Sequence, residues 1–299
     1  MIACKEITQT FKEVTALNNV SVNFEKGKIT GLLGRNGAGK STLLNIISNR
    51  IIPTAGEVII DLEPAAENSR AQQKIFHMHS VQMYPENMKV KEAFYWANEL
   101  YPNFDLEEAK RYADAFHLSM KQKIRKLSTG YQSIFMLISA LASNAEYLLF
   151  DEPVLGLDVN NRDFFYRILL EKYAQNECGI IVSTHLIEEV EEILENIIII
   201  HEGKILRNEP VEDLLKTVYQ VSGPATLLSE FAKDKDVLHR HALGGLMTAT
   251  IKGSFEGDLP EGLERSKVDL RQLFIELTGQ YELEPVLNQQ SKKAERKII

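Results

Sequence analysis

The sequence predicts an α/β protein organised on a parallel sheet, opened by an antiparallel β subdomain, carrying an inserted helical subdomain, and followed by a small α+β domain. Three observations predict it. The runs Ile29-Thr30-Gly31-Leu32-Leu33, Tyr147-Leu148-Leu149-Phe150-Asp151 and Gly179-Ile180-Ile181-Val182-Ser183-Thr184-His185 are apolar enough for strands buried on both faces. Between 91 and about 143 the apolar residues recur at three- and four-residue steps, which is helical spacing. After about residue 216 strand, hairpin and helix patterns return without any catalytic motif.

In order along the chain, residues 1–28 alternate polar and apolar around Ile7, Phe11, Leu17, Val20, Val22 and Phe24. Turn signals at Asn18-Asn19 and Lys26-Gly27 divide them into short antiparallel strands. Lys40 to Ile47 has the spacing of a helix, and Pro53-Thr54-Ala55-Gly56 turns into a strand at 57–60. Asp105-Leu106-Glu107-Glu108 opens a helix in the inserted subdomain, about 83–143. An acidic helix is expected at 188–192, before a strand at 196–201. In the domain at 217–281, a strand at 219–221 is followed by a helix at 225–232 with Pro224 at its start. Gly244-Gly245 joins a hairpin, and a helix at 269–278 stops at Gly279. A polar tail at 282–299 is expected to be flexible.

Chemistry enters at Gly34-Arg35-Asn36-Gly37-Ala38-Gly39-Lys40-Ser41-Thr42, between the first buried strand and its helix. Strand, glycine loop and helix form the context of a phosphate-binding loop. Glycines let backbone N–H groups converge on phosphate oxygens, and the helix N-terminus adds its positive end. Lys40 then reaches the β- and γ-phosphates, and the Ser41 hydroxyl is a hard oxygen donor suited to Mg²⁺. Parallel sheets place their sites at the carboxyl ends of strands, so Asp151 and His185 belong with Lys40.

Downstream motifs choose among phosphate-loop proteins. Leu127-Ser128-Thr129-Gly130-Tyr131 begins with a serine 23 residues before Asp151. Asp151-Glu152-Pro153 and Gly156-Leu157-Asp158 follow, and His185 lies 33 residues past Glu152. This order resembles the ATP-binding cassette family, the nucleotide-binding subunits of ABC transporters, over residues 1–216. The resemblance implies a P-loop NTPase cassette that binds and hydrolyses ATP with Mg²⁺. In it Asp151 holds the magnesium shell opposite Ser41, Glu152 orients or deprotonates the attacking water, and His185 contacts the γ-phosphate. Ser128 and Gly130 resemble the signature loop that contacts ATP on an opposite cassette, with Asp158 near the partner's loop. It therefore implies a dimer with an identical or related chain.

Three departures from the family pattern stand out. Thr129 and Tyr131 replace the usual glycine and glutamine of the signature. Phe11 stands where a tyrosine commonly stacks on adenine; a ring filling the strand's core is the other reading. In the segment that couples nucleotide to the membrane subunit, Gln82 is the only glutamine of 75–82, although counting back from Val90 points nearer His79 or Ser80.

Composition bounds the partners. Hydrophobic residues make up 44% and charged residues 25% of 299, ordinary for a globular chain with a large core. A net charge of −8 argues against nucleic acid as partner. Cys4 and Cys178 are far apart and fit a reducing compartment without disulfides. His77 with His79, and His239 with His241, lack a third ligand in sequence reach, so zinc is not expected. No apolar run approaches the ~20 residues that span a bilayer.

The expectation is thus an ATPase subunit at the cytoplasmic face of the membrane, powering export of a peptide, drug or lipid-like substrate through a separate polytopic subunit. The alternative is a soluble cassette ATPase acting on nucleic acid or ribosomes. Relatives of that kind carry a coiled-coil insertion or two cassettes, whereas here 88 residues separate Lys40 from Ser128 and each motif occurs once. A GTPase or small-molecule kinase lacks a use for the segment at 127–130.

Overall fold

The computed structural model describes residues 1–79, 84–255, 257–266, 268 and 270–278. It divides into two compact units, Met1–Leu215 and Lys216–Ile299. In the first, β1 (Ile2–Phe11), β2 (Val14–Phe24), β3 (Ile29–Leu33), α1 (Lys40–Ile47), β4 (Ala55–Ile60), β5 (Glu63–Pro64), α2 (Ser69–Gln72) and β6 (Ile75–Met78) come first. The helical stretch follows as α3 (Val90–Leu100), α4 (Leu106–Ala115) and α5 (Thr129–Ala142). Then come β7 (Tyr147–Asp151), α6 (Val159–Gln175), β8 (Gly179–Thr184), β9 (Asn196–His201), β10 (Lys204–Pro210) and α7 (Val211–Lys216).

The central sheet has the order β10-β9-β3-β8-β7-β6, parallel except for β10. Every residue of β3, β7 and β8 is buried, as their unbroken apolar runs require for strands covered on both faces. Register aligns their carboxyl ends: Leu33 pairs with Thr184, and Asp151 with Ser183. Leu43, Leu44, Ile46 and Ile47 of α1 are at most 2% exposed and share a core with Leu32, Tyr147 and Leu149. At about 1.5–3 kcal/mol per buried aliphatic side chain, that packing fixes α1 and the loop before it. Phe165 of α6 meets Phe150 edge-on, ring centroids 5.6 Å apart, behind Asp151. In α5, residues 134–142 are all buried, because this helix packs against α3, α4, α6 and β6.

The antiparallel sheet has the order β2-β1-β4-β5. Asn18-Asn19 is not its turn. The hairpin closes at Lys12-Glu13, between the paired Phe11 and Val14. Asn18 and Asn19 instead lie within β2, where Ile7 pairs with Val20 and Gln9 with Leu17, so two residues oppose one. Asn19 takes φ 52°, and its N–H donates to Thr8 Oγ1 at 3.1 Å. The acidic run at 188–192 also differs from expectation. Only Ile187–Glu189 forms a helical turn, of the 3-10 type, and buried Ile187, Val190 and Leu194 meet the three- and four-residue spacing through successive turns.

The second unit contains β11 (Val218–Pro224), α8 (Ala225–Phe231), β12 (Val237–Leu243), β13 (Leu246–Lys252), β14 (Glu264–Ser266) and α9 (Leu270–Leu277). Its antiparallel sheet runs β12-β13-β11-β14 over a core of Tyr219, Val221, Leu228, Met247, Ala249 and Ile251. The expected helix stop at Gly279 and the polar tail lie outside the described residues. So do Gln82 and Ser80, two of the three coupling-loop candidates.

Candidate functional site

The loop between β3 and α1 is shaped by close backbone approach. Gly39 caps α1 at φ 111°, and a Cβ there would lie 2.7 Å from the Ala16 carbonyl oxygen and from Leu17 Cδ2. Only glycine fits that conformation and that space. Ala38 accepts from the Gly203 N–H at 3.0 Å, and Gly203 accepts from the Asn18 N–H at 2.8 Å. The irregularity in β2 thus supports the phosphate-type loop. A cavity of about 200 Å³ opens there, lined by Ala16, residues 35–42 and Glu152.

Lys40 is 6% exposed and donates to the carbonyl oxygens of Gly34 at 2.7 Å and Arg35 at 3.4 Å. Its Nζ lies 3.8 Å from Glu152 Oε1. Burial lowers the affinity of this amine for its proton, while Glu152 and Asp151 oppose the shift.

Asp151 ends β7 and is 6% exposed. Burial pushes its carboxyl above the ordinary value, against hydrogen bonds from Ser41 and Ser183. The Ser183 Oγ lies 3.0 Å from Oδ1. A hydroxyl of Ser41 bonded to a buried, partly desolvated carboxylate is a pair of hard oxygen donors, which fits Mg²⁺. Among the described residues no group of three or more His, Cys, Asp or Glu side chains could hold a metal ion.

Glu152 turns away from the strand at φ 51°. Its Oε1 accepts from His185 Nδ1 at 2.8 Å and its Oε2 from Thr184 Oγ1 at 3.1 Å. The Glu152 N–H donates to the Ser183 carbonyl at 2.8 Å. Lys40, Ser41, Asp151, Glu152 and His185 are therefore brought together, as is the loop containing Gly34, Asn36, Gly37, Gly39 and Thr42. Ser183 and Thr184, which orient the two carboxylates, and Ala16 were not singled out from the sequence. The polar ending of the β8 run was the available signal.

Ser128, Gly130 and Asp158 form a different group. Ser128 caps α5, accepting from the Tyr131 N–H at 3.4 Å, and is exposed. A Cβ on Gly130 would stand 2.8 Å from the Gly156 carbonyl oxygen, so the two backbones touch. Asp158 caps α6, accepting from the Asn161 N–H at 2.9 Å. None of the three lines the cavity. Phe11 ends β1 at 44% exposure, so its ring does not fill the core. His77 is buried, with Nδ1 2.9 Å from Ser48 Oγ, and its ring is 5.7 Å from that of His79.

Residues 17–155 match the family described as ABC transporter. The chain contains an ABC transporter ATP-binding domain. It is 26% identical over 214 residues to the ABC transporter ATP-binding protein YtrB of Bacillus subtilis, covering 72% of this chain and 73% of that one. The bacitracin transport ATP-binding protein BcrA of Bacillus licheniformis is 26% identical, covering 72% of each. The Fe(3+) ions import ATP-binding protein FbpC of Pasteurella multocida is 28% identical, covering 71% of this chain and 62% of that one. In structure, the cassette resembles dimeric MJ0796 in a post-hydrolysis state bound to ADP and Pi, with a TM-score of 0.63 and 26% identity. That likeness covers 71% of this chain and 99% of the other. Members of the family are ATPases, and this cassette is an ATPase subunit of an ABC transporter.

Proposed function

We propose that the chain powers export of a peptide, drug or lipid-like substrate by a separate polytopic membrane subunit, working as a cassette dimer at the cytoplasmic face. The observation that carries the hydrolytic part is Glu152, held between His185 and Thr184 at the rim of the loop cavity. A carboxylate fixed by two donors keeps its remaining lone pairs for a water molecule and is placed for a base. Lys40 exchanges the Gly34 and Arg35 carbonyls for phosphate oxygens, which add anionic partners to its buried amine. Ser41 and Asp151 would hold Mg²⁺, which when bound would neutralise charge on the phosphates. His185 keeps Nδ1 against Glu152, so that Nε2 is the ring nitrogen which, carrying a proton, would donate to the γ-phosphate, and Phe11 offers its exposed face to adenine.

Ser128 and Asp158 are exposed and Gly130 is half-buried in the first turn of α5, all three outside the cavity, which suits contact with nucleotide held by a second cassette. The likeness to BcrA, named for bacitracin transport, favours export of such substrates. Among the described residues no helix is long and apolar enough to cross a membrane, so the pathway is assigned to another chain. Purifying the full chain from detergent-solubilised membranes, beside Lys40→Ala, tests this reading. A stoichiometric polytopic partner and ATPase activity lost in Lys40→Ala are expected; a ribosome or nucleic acid in its place would overturn it.

A further inference from the structure

We propose that Arg162 and Glu189 are positioning residues for hydrolysis, their ion pair closing a ring of contacts that holds His185 against Glu152. Arg162 lies in the first turn of α6, and its N–H donates to the Asp158 carbonyl at 3.0 Å. Its Nε donates to the Leu157 carbonyl at 3.0 Å, and its Nη1 pairs with Glu189 Oε1. Glu189 ends the 3-10 turn that begins two residues after His185. On the other side, Leu186 N–H donates to Thr184 Oγ1 at 3.0 Å, and that same hydroxyl donates to Glu152.

The connections form a closed path. It runs from Glu152 along 153–158 into α6, across the ion pair to Glu189, and back along 185–188 to His185 and Glu152. Two chain segments leave the hydrolytic pair in different directions, and the Arg162–Glu189 pair ties them together again. If it is removed, the 185–189 segment keeps its buried Ile187 and the Leu186 bond to Thr184 but loses its tie to α6.

The pair is not arranged for stability alone. Glu189 Oε2 and the Tyr166 hydroxyl, one helical turn beyond Arg162, are both buried without a hydrogen-bond partner among the described residues. Burial first, and then the charge of Glu189, keep the Tyr166 hydroxyl in its neutral donor form beside that carboxylate. A buried polar group left unmet is costly and calls for an explanation. Here the carboxylate satisfies Arg162 with one oxygen and leaves the other unmet, as expected if the position of the 185–189 segment, rather than local bonding, sets its geometry.

This inference rests on the ATPase reading above, and the experiment separates the two. The full chain, with any copurifying partner, is compared with Arg162→Ala, Glu189→Ala and Glu189→Gln for kcat, KM for ATP and Tm. Misplacing a catalytic group lowers turnover without weakening binding, so each alanine variant should lose about tenfold or more in kcat with KM within about twofold of the wild type. Glu189→Gln, which still accepts from Arg162, should recover at least half of the lost logarithm of kcat. Turnover within about twofold of the wild type in either alanine variant, or a rise in KM matching the fall in kcat, overturns the inference. Should the alanine variants fail to fold, Arg162→Met, which keeps the aliphatic stem without the charge or the bonds to Leu157 and Glu189, decides, with wild-type kcat overturning the inference and lower kcat at unchanged KM supporting it. Failure of the underlying reading looks different: the wild-type chain would then show no turnover above that of Lys40→Ala.

Discussion

Glu152 holds a left-handed backbone at φ 51°, and two substitutions isolate what that conformation costs. Glu152→Ala and Glu152→Gly both delete the carboxylate and its hydrogen bonds from Thr184 and His185. They differ only in the Cβ. A Cβ at left-handed φ costs about 1–2 kcal/mol, whereas glycine gives back about 0.4–1 kcal/mol through the greater freedom of its unfolded chain. Glu152→Gly is therefore expected to be more stable than Glu152→Ala by about 0.5–1 kcal/mol. At an m-value of about 2–3 kcal/mol/M, its urea midpoint should lie about 0.2–0.5 M higher in nucleotide-free buffer. Both variants should lose ATP turnover equally. An alanine variant as stable as the glycine variant would refute the claim that the strand end is strained to aim this carboxylate.

Three further outcomes are expected. Phe11→Ala should weaken ATP binding by about tenfold, the scale of one aromatic stacking contact, while Phe11→Tyr leaves it nearly unchanged; equal effects in titration calorimetry would remove Phe11 from the site. Gly130→Ala pushes a Cβ to 2.8 Å from the Gly156 carbonyl oxygen, backbone against backbone. It should cost about 1–3 kcal/mol of stability and reduce turnover, whereas Gly245→Ala, with nothing within 4 Å, should stay within about 0.5 kcal/mol. Burial, then His79 and Arg50, hold His77 at about 3, below its ordinary 6.5. As pH falls below 6.5 the unfolded chain takes up a proton that the folded one refuses until about 3. This residue therefore adds nothing to the pH dependence above that window and removes up to about 1.4 kcal/mol per pH unit within it. His77→Gln should flatten the acid limb of a stability–pH curve.

Much of the cassette was legible because burial on both faces leaves a plain record. The runs at 29–33, 147–151 and 179–184 could be strands only in a covered parallel sheet, and their ends assembled one site. Asn18-Asn19 was misread because an asparagine that tolerates left-handed φ marks a bulge as readily as a turn. Tertiary contact decides between them, here the bond from Asn18 to the Gly203 carbonyl. The acidic run at 188–192 has helical composition, but its apolar residues reach the core through short turns before β9. The hydroxyls of Ser183 and Thr184 escaped notice because their role follows from strand register, which sequence does not display. The exposure of Phe11 likewise depends on where β1 ends.

The central claim is that the carboxylate at 152 drives hydrolysis by a cassette that binds ATP without it. The most direct measurement is steady-state ATPase of purified Glu152→Gln beside ATP affinity by equilibrium binding. Glutamine preserves the shape and a partner for Thr184 while removing the base. The account predicts turnover reduced by about a hundredfold or more, the scale of a lost general base, with ATP bound at least as tightly as by the wild type and a dimer retained on a sizing column in ATP. Turnover within a few-fold of the wild type would contradict it.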